Sequence, residues 1–391
     1  VFDGNPELIE MSIEALGLPD QALSAGTEIS AKGVIAFGFG DYELQPSEVI
    51  IINENVIPDA VRTPMLDEVT VASVNMFRLF NDVDDPSSAD DDQIADSAEY
   101  ANRLVKFAKY FVEDLKSPTV IALQEIENID VLQDLSAAIA NAGGPNYIST
   151  LVVGNDVGGI NVAYMYQAGS LSNVMVIQLG KNEINPFDGS LLHDRPPLRL
   201  EANAVLTEGV QPLNLLNVHL RSRSSIDSSS DGERVRNKRF NQANSIASMA
   251  EGIMIEDPEK PLYVLGDFNA FEFTDGYADV VGQIAGTSVE SDNLLWVEPV
   301  LADSPLTQAV QTLPTDQQYS FTFQGSAQVL DNALMNDVAL MNLVEMQYVR
   351  GQADANVNFE EDDSSLRTSD HDGLVLYIYD DNDLIFRNGF E

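Results

Sequence analysis

The chain has 391 residues, 44% hydrophobic and 8% aromatic, enough for one large domain or two smaller ones with a proper core. It contains no cysteine, which excludes disulfides, thiolate metal sites and a cysteine nucleophile; no apolar stretch approaches the roughly 18–20 residues that span a bilayer, so a soluble chain with no membrane partner is expected. The 63 acidic against 20 basic residues give a net charge of −43, which repels nucleic acid and acidic membranes at long range and suits a saline setting, where the field is screened over about 3 Å at 1 M salt.

In chain order, "VFDGNPELIE" starts without methionine and reads as the front of a processed or truncated chain. Residues 1–66 read as a partial, OB-like β segment and linker. "GTEISAKGVIAFGFGDYELQP" alternates with period two, Gly38 and Gly40 suggest a bulge or tight turn, and the Pro-flanked "IPDAVRTP" closes the segment. From residue 67 the pattern changes. "EVTVASVNMF" and "TVIALQEI" are strands, "AEYANRLVKFAKYFVEDL" is a helix between them, and "DVLQDLSAAIANAG" is a helix closed by glycine. "GINVAYMY" is a strand, "LRLEANAVL" and "PLNLLNVHL" form a strand pair, and "VRNKRFNQANSIASMAEGIM" is a helix. "PLYVLGDF", "VLDNALMN" and "GLVLYIY" are the last strands, and 381–391 is a tail. The acidic stretch from Asn81 to Glu99 lacks the spaced ligands and central glycine of an EF-hand and reads as a solvated loop. Strands alternating with helices, but with hairpin-like neighbours as well, favour a mixed sheet system with outer helices.

The polar residues at strand ends carry the chemistry. Asn75 ends "VASVN", Glu125 ends "VIALQE", His219 ends "LNLLNVH", and Asp267 and Asn269 end "LYVLGDFN". Asp331 lies in "QVLDNAL", and Asp370 and His371 open the final strand. Each alone is an ordinary turn or cap residue; together they describe one rim. Glu125, Asp370 and Asn75 are hard oxygen ligands suited to Mg²⁺, Mn²⁺ or Ca²⁺. The histidines suit proton transfer, with Asp331 orienting one of them, and Asp267 and Asn269 suit holding water and a phosphoryl oxygen. Metal, histidine and arginine together describe hydrolysis of a phosphate ester.

Between Arg195 and Arg239 eight basic residues stand against five acidic ones, a net of +3 inside the acidic chain, which reads as a patch facing an anion or as loop-to-loop ion pairing. Arg221 and Arg223, directly after His219, are the better phosphate candidates, with Arg239 on a helix that faces the cleft. Arg195 and Arg199 read as phosphate contacts or loop braces, His193 as a loop or surface residue, and Trp296 as core.

"SVN", "ALQEIEN", "NVHLRSR", "GDFNAFE", "LDN" and "SDHDG" occur in the order found in the endonuclease/exonuclease/phosphatase superfamily, and the chain resembles that DNase I-like family, with a secreted bacterial nuclease-like subgroup as the nearer likeness. The resemblance covers residues 68–380. It implies a four-layered α/β sandwich, two mixed sheets face to face with outer helices, behind a small partial β domain. It implies Glu125 as the principal metal ligand with Asn75 and Asp370 in support, and His371, held by Asp331, as base or phosphate contact. It further implies His219 as acid or phosphoryl stabiliser, and Asp267 and Asn269 as holders of water and phosphate. The expected cofactor is Mg²⁺ or Mn²⁺, with Ca²⁺ as a structural or second metal. The expected substrate is DNA, or RNA, cleaved by a secreted, salt-adapted nuclease with no obligate protein partner. A phosphatase or other phosphodiesterase, and a non-catalytic binding module on the same scaffold, stand as alternatives. Asn161 and Asn332 occupy positions where relatives carry Asp and His, and Asp372-Gly373 stands where many have Tyr-Pro.

Overall fold

A computed structural model of the chain describes residues 9–19, 23–38, 41–55, 57–84 and 93–379. Gly40, the middle of the acidic loop and the 381–391 tail lie outside those residues.

The first 53 residues contribute three strands, Glu10–Met11 (β1), Glu28–Gly38 (β2) and Asp41–Asn53 (β3). They form a sheet ordered β1-β3-β2, in which β2 and β3 are a long antiparallel hairpin. The register shifts between Lys32 and Gly33 rather than at Gly38. A Cβ on Gly33 would meet the Gln45 carbonyl at 2.1 Å, so close backbone approach puts the irregularity there. The following segment is a strap packed on the main body. Asp59 bridges to Arg350, Val61 is buried, and Arg62 pairs with Glu68 and Glu345 while lying 3.7 Å over the Tyr377 ring.

The main body contains the strands Val69–Leu79 (β4), Val120–Ile126 (β5), Tyr147–Leu151 (β6), Asn161–Gln167 (β7) and Leu171–Gln178 (β8). Next come Leu198–Val205 (β9), Val210–His219 (β10), Tyr263–Asp267 (β11) and Thr307–Gln308 (β12). A small hairpin of Phe321–Phe323 (β13) and Ser326–Gln328 (β14) precedes Asp331–Met335 (β15), Leu343–Tyr348 (β16) and Leu374–Ile378 (β17). One six-stranded sheet is ordered β16-β17-β4-β5-β7-β6 and the other β12-β15-β11-β10-β9-β8. Each is antiparallel except for one parallel pair, β4–β5 or β10–β11. Parallel neighbours need a long crossover, and helices Ser97–Lys109 (α1) and Gly232–Glu256 (α3) supply the two here. Ile129–Asn141 (α2) joins α1, and Val280–Ala285 (α4) joins α3.

Three apolar clusters define four layers. Val71, Val120, Tyr164, Leu200, Leu215 and Tyr263 interdigitate between the sheets. Val74, Phe107, Phe111, Leu123 and Leu135 seat α1 and α2 on the outer face of one sheet. Val218, Val264, Ile246, Ala250 and Ile284 seat α3 and α4 on the other. This is the expected sandwich with outer helices. Strands β6, β8, β12 and β16 and the small hairpin were not foreseen; β6, β8, β12 and β16 are edge strands, where partial exposure weakens the apolar signal. Among the described residues no helix is long and apolar enough to cross a membrane.

Candidate active site

The two parallel pairs end at the same rim of the sandwich. In β10–β11, His219 and Asp267 are direct cross-strand neighbours. The residue before Asp267 must be glycine: Gly266 has φ 143°, and a Cβ there would lie 2.0 Å from the Val218 carbonyl oxygen. After Asp267 the chain folds back on itself. Asn269, at φ 48°, donates its backbone N–H to Asp267 Oδ1 (2.7 Å) and its side-chain amide to Asp267 Oδ2 (3.1 Å) and the Leu220 carbonyl (3.2 Å). The Gly-Asp-Phe-Asn sequence therefore presents a carboxylate whose two oxygens are already aimed.

On the other sheet a bulge re-aims Glu125. The β5 register slips between Leu123 and Ile126, and Glu125 sits at φ 61°. Gln124 then turns inward and donates to Asn217 Oδ1 (2.7 Å), while Asn217 donates to the Leu123 and Ala163 carbonyls (each 3.0 Å). This buried amide pair ties the sheets together behind the site. In front of it Asn75 donates to Asp267 Oδ2 (3.0 Å) and Glu125 Oε1 (3.3 Å). Its own oxygen accepts from the Phe77 N–H (2.9 Å). Asn75 thus acts as a bridge between two carboxylates, with its oxygen already engaged.

His371 Nδ1 lies 2.6 Å from Asp331 Oδ2. Ser320 donates its hydroxyl to the same carboxylate oxygen (2.8 Å), Tyr348 donates to the Asp331 carbonyl (2.5 Å), and the Phe321 ring packs 4.7 Å from the imidazole. Ser369 ties this turn back to β4 by donating to the Asn75 carbonyl (2.7 Å). Asp372 is fully buried, accepts from Arg350 (2.9 Å) and from the N–H groups of Gln352 and Ala353 (each 3.0 Å), and so anchors the loop after His371.

Asp267 is the hub. Glu125, His219 and Asp267 offer ligand atoms within 4.8 Å of one another, and so do Asp267, Asp331 and His371. His219 Nε2 is 3.6 Å from Asp267 and 3.8 Å from Glu125, and Asp370 Oδ1 is 3.9 Å from His371 Nε2. Burial, reinforced by Asp331 and Glu125, pushes the Asp267 carboxyl up to about 7, although the His371 charge and the Asn269 N–H oppose it. Burial and then the Asp370 charge raise Glu125. His219 is held well below its ordinary value by burial, with Arg195 and His371 adding to the effect, and is neutral. Burial works against protonation of His371 too, but there the Asp331 charge and hydrogen bond prevail and raise it well above its ordinary value, with Asp267 and Asp370 adding to the pull.

The cationic stretch is largely neutralised. Arg195 pairs with Asp156, Arg199 with Glu201 and Glu256, Arg234 with Asp231, and Lys238 with Asp194. Arg223 lies 3.3 Å from Asp275 and 4.3 Å over the Phe271 ring. Arg239 is buried and donates to the carbonyls of Arg221 (2.6 Å) and Asn269 (2.8 Å), so it braces two site loops and is not open to phosphate. Arg221 is half-buried and, among the described residues, has only the Ser222 hydroxyl on its guanidinium (3.2 Å). His193 is a core residue: it is 1% exposed and bonds Ser245 Oγ (2.9 Å). Trp296 is half-buried, with its indole N–H on the Ser288 carbonyl. Asn161 holds backbone, accepting from Gly154 N–H (2.7 Å) and donating to the Glu127 carbonyl (2.7 Å), and touches no catalytic histidine. Asn332 donates to Gln308 (3.0 Å).

The donor set fits a divalent cation. Asp267, buried, and Glu125, partly buried, are both raised in pKa chiefly by burial, and with His219 they offer ligand atoms within 4.8 Å of one another. Glu125 and Asp267 would hold it, with Asp370, whose charge acts on Glu125, in support; Asn75, expected as a ligand, has its oxygen on the Phe77 N–H.

The sequence profile of the Endonuclease/Exonuclease/phosphatase family matches residues 70–368. No curated protein matches the sequence. Among solved structures, an endonuclease/exonuclease/phosphatase from Bacteroides vulgatus is similar at 14% identity and TM-score 0.49, over 80% of this chain and 98% of that one. The human Nocturnin catalytic domain with bound sulfate is similar at 15% identity and TM-score 0.46, over 81% and 96%. D. rerio TDP2 in complex with a single-strand DNA product is similar at 16% identity and TM-score 0.47, over 80% and 99%. With its profile match covering three quarters of the chain and every site residue up to Asp331, the chain belongs to the endonuclease/exonuclease/phosphatase family of metal-dependent phosphate-ester hydrolases.

Proposed function

We propose that the protein is an extracellular, salt-adapted nuclease that hydrolyses DNA phosphodiester bonds with Mg²⁺ or Mn²⁺. The observation that carries the reading is the junction of the two clusters at Asp267, which sets an acidic cation site directly beside a histidine–carboxylate pair. The cation, when bound, neutralises charge on the phosphoryl oxygens. His371, oriented by Asp331, takes the proton of the attacking water when its imidazole is unprotonated. Asp267 and Asn269 orient that water and the phosphoryl group. Neutral His219 donates a hydrogen bond to a phosphoryl oxygen.

A diester suits the site better than a monoester. A monoester carries about −1.5 to −2 charges at pH 7, and the arginines around this centre are mostly committed to Asp156, Asp275 or backbone carbonyls. The net charge of −43 supports the salt-adapted, extracellular part of the reading, because screening is what lets so acidic a chain approach DNA. The test is hydrolysis of DNA and of p-nitrophenyl phosphate, side by side, with each divalent cation across a salt series. DNA cleavage maintained toward about 1 M salt is expected. Activity falling steadily from about 50 mM upward would remove the salt adaptation, and release from p-nitrophenyl phosphate alone would make the protein a phosphatase.

A further inference from the structure

A cavity of about 700 Å³ opens between α1 and the 357–368 segment. It adjoins the catalytic centre along the chain at two points. Phe77, on one wall, is two residues beyond Asn75, and Thr368, on the other, is two residues before Asp370. One helix fixes both walls. Arg103 of α1 donates to the carbonyls of Met76 (2.8 Å), Phe77 (2.7 Å) and Arg78 (2.8 Å). One turn on, Lys106 donates to the Phe359 carbonyl (2.7 Å) and to Asp362 (2.8 Å).

The wall that Arg103 holds is unusual. Phe77 and Arg78 both have left-handed backbone, at φ 47° and 53°, a conformation that side-chain-bearing residues keep only when their surroundings impose it. The result is that Phe77, 39% exposed as a residue and with the Arg103 guanidinium 6.0 Å from its ring centre, stands beside an Arg78 guanidinium that makes no hydrogen bond or ion pair among the described residues. The rest of the lining carries the Asn102 amide, four carboxylates, Asp96, Glu99, Glu360 and Glu361, and three cations that are already engaged, Arg103 on backbone carbonyls, Lys106 on Asp362 and Arg367 on Glu360. Those acids oppose a phosphate backbone running through the cavity, and a duplex rail would need a row of cations. A flat, uncharged ring with amine donors meets no such opposition: it stacks on Phe77 and offers its donors to the acids.

We infer that this cavity is a base-binding subsite, which takes one unpaired nucleobase next to the cleaved bond on Phe77 while Arg78 holds a neighbouring phosphate. The inference rests on the nuclease reading above. It adds that the enzyme acts on single strands or strand ends in preference to intact duplex, since the base must leave its stack to enter.

The test uses the full chain with Mn²⁺ on a short single-stranded DNA, on the same strand with an abasic residue at each position in turn, and on bis(p-nitrophenyl) phosphate. Removing the base at one position flanking the cut is expected to lower kcat/KM about tenfold, and Phe77→Ala to lower it by a similar factor on the intact strand. The two losses are expected not to add, because both remove the same stack. Additive losses, no position-specific loss in the unaltered protein, or an equal fall for Phe77→Ala on bis(p-nitrophenyl) phosphate would each overturn the subsite. The abasic series needs no variant, so the outcome does not hang on how Phe77→Ala folds. Cleavage of DNA without base dependence would remove the subsite alone; cleavage of bis(p-nitrophenyl) phosphate but of no nucleic acid would remove the nuclease reading with it.

Discussion

Asp331 and His371 meet at 2.6 Å across the seam between the two sheets, the carboxylate at the start of β15 and the imidazole just before β17. The carboxylate is what gives the imidazole its raised proton affinity, against the burial that opposes it. Asp331→Asn is expected to lower the His371 pKa in metal-free protein, read by NMR titration of the ring, and to lower kcat/KM by about 100- to 10,000-fold. An unchanged imidazole titration would show that the pair does not set the proton affinity.

Asn75 separates two carboxylates that repel each other, donating to both Glu125 and Asp267. Asn75→Asp removes those donors and adds a third charge. The metal-free variant is expected to lose about 2–3 kcal/mol of stability. Mn²⁺ is expected to raise its melting temperature more than that of the unaltered protein. Equal melting temperatures in the presence of a chelator would contradict the bridging role.

Gly266 is the position where a methyl group does the most damage. Its φ of 143° and the 2.0 Å approach of the Val218 carbonyl leave no room for a Cβ. Gly266→Ala is expected to cost at least about 3 kcal/mol in chemical denaturation and to abolish hydrolysis by shifting Asp267. Full stability with normal activity would refute the strain assigned to this strand end.

Asp114 tests the fold away from the site. Burial raises its carboxyl to about 6, the Ser365 hydrogen bond opposing, and one of its oxygens has no partner. The unfolded carboxyl ionises near 3.8, so native stability declines as pH rises from that value to about 6 and the full penalty persists above it. Asp114→Asn is expected to stabilise the protein by about 1–2 kcal/mol above pH 7 and by nothing near pH 4. A gain independent of pH would mean that desolvation of the charge is not the cause.

Much of the site was legible because its residues close apolar strands, and a strand's length and ending can be read locally. Glu125, His219, Asp267, Asn269, Asp331 and His371 all emerge that way and converge in space. Asn75 was legible as a site residue but not as a donor, since its role depends on Asp267, 192 positions away. Asn217 left a signal, a polar residue at a core-facing strand position, which marks the cross-sheet amide pair in retrospect. Ser320 and Tyr348 left none, because hydroxyls on short strands and turns are common. The arginine stretch misled for a physical reason: sequence shows local charge balance, whereas Asp156, Glu256 and Asp275 come from other elements. His193 misled likewise, its burial being set by packing against α3.

The most direct measurement is nicking of single-stranded circular DNA by the purified chain as Mn²⁺ or Mg²⁺ is titrated in after chelation, with Glu125→Gln and His371→Ala run in parallel. Nicking that appears only with the cation, needs a higher cation concentration in Glu125→Gln, and vanishes in His371→Ala is the expected result. Nicking that persists in the chelator, or that survives His371→Ala, would contradict a single metal-dependent centre built around Asp267.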